Sequence, residues 1–110
     1  MNLPNNQEAY IPPEKLTNYL LSESHAVGKS KAKFFLLLGF EVTKSRTLEE
    51  GLLAIAQTEP VIEMETSSHG TKYIIEGIMN TPSGLSTRTR TVWIIETNQV
   101  KPRFVTAYPA

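Results

Sequence analysis

The spacing of apolar residues changes near Pro60, and the change divides the chain into a helical part and a strand-forming part. Before Pro60, apolar residues recur every three or four positions, which is the spacing of a helix with one buried face. After Pro60, apolar and polar residues alternate in several stretches, which is typical of strands. The predicted helices cover residues 12–21, 30–38 and 47–57, and the predicted strands cover residues 61–67, 71–79, 87–96 and 103–108.

Signals at the helix ends support this division. Pro12 and Pro13 suit the opening of the first helix, because proline is tolerated in a first helical turn. Gly39 is suited to the left-handed backbone that closes many helices. Thr47 and Glu50 have the spacing of a capping box, in which each side chain satisfies an amide at the start of the helix. Residues 1–11 are predicted to form a polar arm.

Helices followed by strands with short connections predict an α+β fold, in which about three N-terminal helices pack on a four-stranded antiparallel sheet. The length of 110 residues fits a single domain spanning residues 1–110. The second strand is apolar on both faces, which predicts a central position. Alternation along the last two strands leads us to expect Thr89 or Thr91 near Thr106 and Tyr108 on one surface.

Composition excludes several kinds of chemistry. The chain has no cysteine, which excludes disulfides, zinc–thiolate sites and cysteine nucleophiles. All 11 acidic residues are glutamates, whereas metal-dependent nucleases usually hold their ions with aspartate-rich clusters, so we expect neither a metal nor another cofactor. The N-terminus lacks the pattern of a secretory signal, and the longest apolar run, residues 34–38, is too short to span a bilayer. We therefore expect a soluble cytoplasmic protein without a membrane partner.

Charge is segregated along the chain although the net charge is zero. Residues 25–46 and residues 86–103 are rich in lysine and arginine, and the region between them is rich in glutamate. A fold that brings the two basic segments together is expected to have a basic face.

Residues 25–40 combine features that folding alone does not require. His25 lies in a predicted turn, Lys29, Lys31 and Lys33 follow at alternate positions, and an apolar run then leads to Gly39. A histidine exchanges protons near neutral pH, and lysines at a helix start attract anions. The segment therefore predicts a base held beside a phosphate.

At this point the chain resembles a known family. Residues 25–40, Thr-Val-Trp-Ile-Ile at 91–95 and Phe-Val-Thr-Ala-Tyr-Pro at 104–109 resemble a bacterial family, common in cyanobacteria, of small uncharacterised proteins and toxin domains. That family is similar to the barnase–EndoU–colicin–RelE group of metal-independent ribonuclease toxins. The wider group has N-terminal helices before a four-stranded antiparallel sheet, which agrees with the fold predicted above.

The resemblance implies roles for individual residues. His25 would be the general base or one half of a base–acid pair, and Lys31 would neutralise the scissile phosphate. Thr106 and Tyr108 would orient or protonate that phosphate. Ala26 stands where family members often have proline, which changes the turn but removes no catalytic group. The candidate substrate-binding residues are Lys29, Arg88, Arg90, Thr91 and Arg103.

The sequence therefore predicts a metal-independent endoribonuclease toxin that cleaves RNA through attack of its 2′-hydroxyl and is neutralised by a cognate antitoxin or immunity protein. A homodimer is compatible with the sequence. The alternative is a non-catalytic binding or adaptor module that uses a basic face. In that case His25 is an ordinary loop residue and the lysines that follow it are solvated.

Overall fold

Helices precede a four-stranded antiparallel sheet, which confirms the predicted α+β fold. The structure is a computed structural model that describes residues 1–16, 29–41 and 44–110. Within those ranges the elements are a 3-10 turn at Asn6–Glu8, helices α1 (Pro13–Lys15), α2 (Lys29–Leu37) and α3 (Ser45–Thr58), and strands β1 (Val61–Ser67), β2 (Gly70–Asn80), β3 (Ser86–Glu96) and β4 (Arg103–Pro109). None of the described helices combines the length and apolar character needed to cross a membrane.

The sheet is a meander in the order β1-β2-β3-β4, with antiparallel pairing throughout. The two long strands β2 and β3 pair without interruption from Gly70 opposite Glu96 to Asn80 opposite Ser86. The predicted central position of β2 is thereby confirmed. Strands β1 and β4 form the two edges.

The hydrophobic core lies on one face of the sheet, which we call the helix face; the opposite side is the open face. Helix α3 packs over β2 at Gly77, where side-chain carbons of Ile55 and Glu59 lie 3.0 Å from the position that a Cβ would take. Trp93 and Phe104 are fully buried in this core, with ring centroids 5.3 Å apart in an edge-to-face arrangement.

The N-terminal segment is not simply a polar arm, because several of its side chains belong to the core. Leu3 and Ile11 are buried there at 2% and 4% exposure. Tyr10 forms a short parallel bridge with Arg103, and its carbonyl oxygen accepts a hydrogen bond of 3.0 Å from the amide of Phe104. The segment is therefore fixed along the edge strand β4.

The helix-end predictions have mixed outcomes. Gly39 has a φ of +94°, so the expected left-handed closure of α2 is confirmed. The capping box is wrong: α3 begins at Ser45, which places Thr47 inside its first turn, and Lys44 at the N-cap makes no side-chain capping bond. The predicted first helix is described only at its start, and its positions beyond Leu16 lie outside the described residues.

A β-bulge in β4 decides which residues share a face. Trp93 pairs with Phe104, but Val92 pairs with Thr106, so the register shifts and Val105 has no partner of its own. Alternation therefore restarts after the bulge. Phe104 faces the core, whereas Thr106 and Tyr108 lie on the open face, opposite the side that carries Thr89 and Thr91. The expectation that these four hydroxyls share one surface is wrong.

Candidate functional site

Three polar side chains form a row across the open face, one from each of β2, β3 and β4. Glu76 pairs with Arg90, and Arg90 pairs with Tyr108. The Nη2 of Arg90 donates a hydrogen bond of 2.7 Å to Oε2 of Glu76. The phenol of Tyr108, on the neighbouring strand, also interacts with the guanidinium and raises the pKa of Arg90. A cation held by neighbours on both sides is in a fixed position, which is the arrangement needed to bind an anion with defined geometry.

The environment of Arg90 favours its charged form. The hydrogen bond to Glu76, followed by the interaction with Tyr108, raises the pKa of Arg90 above its ordinary value. Its Nε is buried and has no hydrogen-bond partner among the described residues. The Arg90 side chain is 37% exposed while that of Glu76 is only 16% exposed, so the guanidinium is the more accessible member of the pair.

Two further arginines lie on the same face, toward opposite ends of the sheet. Arg88 is exposed and pairs across the sheet with Ile78. Arg103 pairs with Ile94, and its Nε donates a hydrogen bond of 2.8 Å to Oε1 of Glu96. Along β3, Ile94 lies six positions after Arg88, which corresponds to about 20 Å of strand. The arginines therefore form a track along the β3–β4 half of the open face.

The middle of this track has an apolar floor. Val92 and Ile94 are 8% and 7% exposed, although none of the described helices packs on their face of the sheet. Thr106 lies beside Val92 and is half-buried. The track therefore has guanidinium groups at intervals, with nearly buried apolar side chains between them.

Charge on the open face is graded rather than uniformly basic. Glu63 and Glu65 lie at the β1 edge, opposite Ile74 and Lys72 of β2. Two of the arginines are compensated by Glu76 and Glu96, as described above. The predicted basic face requires residues 25–46 to approach residues 86–103, and much of the first segment lies outside the described residues, so it stays a prediction. Positive charge is concentrated toward β3 and β4, and negative charge toward β1.

Comparison with known proteins assigns a family. The chain matches the family model described as "Domain of unknown function (DUF6883)" over residues 2–110. This protein belongs to the DUF6883 family. No curated protein sequence matches the DUF6883 chain.

A solved structure shares its fold. One chain of a "Contact-dependent growth inhibition toxin - immunity protein complex" from Klebsiella pneumoniae 342 matches this DUF6883 chain with a TM-score of 0.71. The match covers 94% of this chain and 95% of that chain at 18% sequence identity. At that identity the likeness shows a common fold.

The DUF6883 chain brings together five of the nine residues singled out from the sequence. They share the open face on β3 and β4, and they are Arg88, Arg90, Arg103, Thr106 and Tyr108. His25 lies outside the described residues, and so do the side chains of Lys29 and Lys31, whose backbone begins α2. That His25 and Lys31 approach the open face stays a prediction.

Thr91 is on the other side of the sheet and is fully buried. Its Oγ1 donates a hydrogen bond of 2.8 Å to the carbonyl oxygen of Ile75 and accepts one of 2.9 Å from Nε1 of Trp93. A hydroxyl so engaged satisfies polar groups of the core and does not face a substrate. The β-bulge is the reason that Thr91 and Tyr108 are separated.

Sequence reasoning missed Glu76, the partner of Arg90. A signal for it exists in the hairpin between β2 and β3. Asn80 and Ser86 flank the loop that carries Pro82 and Gly84, and counting back along both strands from that pair sets Glu76 opposite Arg90.

In the described ranges, no group of three or more histidine, cysteine or acidic side chains is arranged to hold a metal ion.

Proposed function

We propose that this DUF6883 chain is a toxin that cleaves RNA without a metal ion, and that a cognate antitoxin or immunity protein neutralises it. The observation that carries the proposal is the row of Glu76, Arg90 and Tyr108 on the open sheet face. A guanidinium fixed beside a phenol can bind a phosphodiester and stabilise the charge that develops on it. We place the activity in the cytoplasm, where RNA is abundant.

The chemistry follows from the substrate. A base removes the proton of the 2′-hydroxyl, the 2′-oxygen bonds to phosphorus, and the bond from phosphorus to the 5′-oxygen breaks as that oxygen takes a proton. The products are a 2′,3′-cyclic phosphate and a 5′-hydroxyl. Acid–base assistance contributes roughly 10²–10⁴-fold and each fixed donor at the developing charge about 10²–10³-fold.

Each residue has a distinct role in this scheme. Arg90 binds the phosphate, Tyr108 and Thr106 orient or protonate it, and Arg88 and Arg103 hold flanking nucleotides. His25 is the general base and Lys31 and Lys29 add positive charge, as the resemblance to ribonuclease toxins implies. We assign Glu76 to positioning, because its Oε2 is already occupied by Arg90.

The partner is inferred from the fold. The matched Klebsiella pneumoniae structure is a complex of a toxin with its immunity protein. A toxin that acts on cellular RNA requires neutralisation in the cell that makes it. Both considerations support a protein partner that binds this chain.

The experiment uses the full chain, a short single-stranded RNA, EDTA, and two control substrates: the same sequence as DNA, and the RNA with 2′-deoxy nucleotides at the cleavage site. We expect cleavage of the unmodified RNA alone, with products that end in 2′,3′-cyclic phosphate. Loss of cleavage in EDTA, or cleavage of the DNA, would rule out this mechanism.

A second candidate is a non-catalytic binding module. It is favoured by the ion pairs of Arg90 with Glu76 and of Arg103 with Glu96, at 2.7 and 2.8 Å, which compensate positive charge that a nuclease could use. Expression in a bacterial host separates the two candidates. Growth arrest that the product of a neighbouring gene relieves supports the toxin, whereas harmless expression together with tight protein binding supports the module.

A further inference from the structure

Strand β1 presents an edge that is largely open. Every residue from Ile62 to Ser67 is exposed, including the apolar side chains of Ile62 at 51% and Met64 at 49%. The opposite edge, on β4, is bridged by Tyr10. An exposed edge strand that carries apolar side chains can pair with another chain, so natural proteins usually cover or blunt such edges.

The backbone groups available on this edge can be assigned from the hairpin that joins β1 to β2. Ser67 and Gly70 flank a two-residue turn and pair with each other. Such a flanking pair is hydrogen bonded across the hairpin, and residues further along alternate between facing the partner strand and facing away. Met64 and Thr66 therefore direct their amides and carbonyls toward the open side.

One bond at the end of the strand supports this assignment. The amide of Val61 donates a hydrogen bond of 2.7 Å to the carbonyl oxygen of Met1, so a residue from outside the sheet already pairs with the open side there. Beyond that bond, no described backbone group pairs with the open side of β1. The unpaired length runs from Ile62 to Ser67.

Charge selects the kind of strand that fits. Glu63 and Glu65 lie on the open face of β1, and neither takes part in a salt bridge among the described residues. Met64 and Thr66 lie on the helix face, because they pair with Tyr73 and Thr71. A strand added to this edge fits if its lysine or arginine side chains lie beside the two glutamates and its apolar side chains lie beside Met64.

A second copy of the chain fits poorly. Antiparallel partners share a face, so self-pairing centred on Glu63, Met64 or Glu65 sets a glutamate against itself or against the other glutamate. Like charges directly opposite each other destabilise strand pairing. The two glutamates thus act against self-association while leaving the edge available to a basic partner.

We propose that the β1 edge is a docking site for an extended segment of a different protein, whose basic side chains alternate with apolar ones. The inference rests on the edge geometry and charge, and it holds whether or not the chain cleaves RNA. Main-chain hydrogen bonds at Met64 and Thr66 supply the pairing, and Glu63 and Glu65 select the sequence.

The test is amide hydrogen exchange on the full-length ¹⁵N-labelled chain, with short peptides of alternating lysine and valine or of alternating glutamate and valine. We expect the lysine peptide to slow exchange at Met64 and Thr66 by about tenfold, and the glutamate peptide to leave it unchanged. The double variant Glu63→Lys/Glu65→Lys should reverse that preference. The matched control is Glu8→Lys/Glu14→Lys, which makes the same change of charge at two exposed sites elsewhere and should behave as the unmodified chain.

A second variant tests the backbone. Met64→Pro removes a donor that faces away from β2, so the hairpin should persist while binding of the lysine peptide is lost. The proposal is overturned if the lysine peptide protects neither amide, if both peptides protect them equally, or if Glu63→Lys/Glu65→Lys leaves the preference unchanged. Protection that rises with protein concentration in the absence of peptide would identify a second copy as the occupant and would equally overturn it.

Discussion

Arg90 and Glu76 lie directly opposite each other on β3 and β2, and a hydrogen bond of 2.7 Å joins Nη2 of the arginine to Oε2 of the glutamate. The phenol of Tyr108 meets the same guanidinium from β4. These contacts raise the pKa of Arg90, and an arginine side chain is in any case charged at every pH at which RNA can be assayed. In the proposed mechanism, any pH limit of RNA cleavage therefore arises from another group.

Replacing Arg90 should lower cleavage by the amount expected for one fixed donor. We expect Arg90→Ala to reduce kcat by about 10²–10³-fold, because the charge on the phosphate loses its stabilising group. Arg90→Lys should recover only part of the rate, since an ammonium group cannot contact Glu76 and Tyr108 in the same planar arrangement. The control is Arg46→Ala on α3, whose exposed side chain pairs only with Glu50 at 3.5 Å among the described residues. Unchanged cleavage in Arg90→Ala would remove Arg90 from the mechanism.

Glu76→Gln separates positioning from proton transfer. The amide keeps a hydrogen-bond acceptor for Arg90 but removes a negative charge from the open face. If Glu76 only positions Arg90, kcat should stay within about tenfold of the unmodified chain, whereas loss of a general base costs roughly 10²–10⁴-fold. RNA binding should tighten, most clearly at low salt. Abolished cleavage with a changed pH–rate profile would instead make Glu76 the base.

The chain has two histidines, His25 and His69, so replacing each in turn tests whether His25 is the general base. We expect His25→Ala to abolish cleavage in EDTA and His69→Ala to leave the rate unchanged, because His69 is exposed in the turn between β1 and β2. Circular dichroism and thermal unfolding of both variants establish that each is folded. Equal rates for the two variants would contradict the role of His25.

Two buried threonines on β3 should respond oppositely to the same substitution. Thr91→Val removes the hydroxyl that bonds Ile75 and Trp93, so the free energy of unfolding should fall by about 1–3 kcal/mol. Thr89→Val should be neutral or stabilising, because the hydroxyl of Thr89 is buried without a partner among the described residues. Urea denaturation measures both changes. A larger loss in Thr89→Val would show that its hydroxyl has a partner.

Deleting Val105 tests the bulge. Without the extra residue, regular alternation from Phe104 keeps Thr106 opposite Val92 and Tyr108 opposite Arg90, so both side chains should stay on the open face. We expect the deletion variant to fold and to lose about 1–3 kcal/mol of stability, because the strand loses its local bend and twist, whereas Val105→Ala should cost about 1 kcal/mol. Thermal and urea unfolding measure both variants. A deletion variant that does not fold would show that the bulge itself is required.

The sequence predicted the strands well because alternation is a local property. The bounds of β1 were predicted as they are observed, and the other three strands differ by one residue at one or both ends. The face of Tyr108 could not be obtained in this way, because the bulge at Val105 depends on how β4 pairs with β3. Alternation before the bulge correctly placed Phe104, and the same rule failed two residues later.

For the helix ends and the site as well, some features could be read from the local sequence and others could not. The left-handed closure of α2 could be predicted because it requires a glycine at one position, Gly39. The capping box at Thr47 and Glu50 fits the local sequence, but α3 begins two residues earlier, at Ser45. Arg88 and Arg90 on β3 could be singled out from the sequence because their charge follows from residue type alone. Their pairing with Glu76 required the register of two strands, which residue type alone does not contain.

The graded charge of the open face gives the sheet an electrostatic gradient from β1 to β4. A polyanion that approaches from a distance is repelled by Glu63 and Glu65 and attracted to Arg88, so it arrives already oriented with respect to the strands. This orientation weakens as ionic strength rises, because mobile ions screen fields beyond about 10 Å at 0.1 M salt. The rate of encounter with nucleic acid should therefore be far more sensitive to salt than the stability of the folded chain.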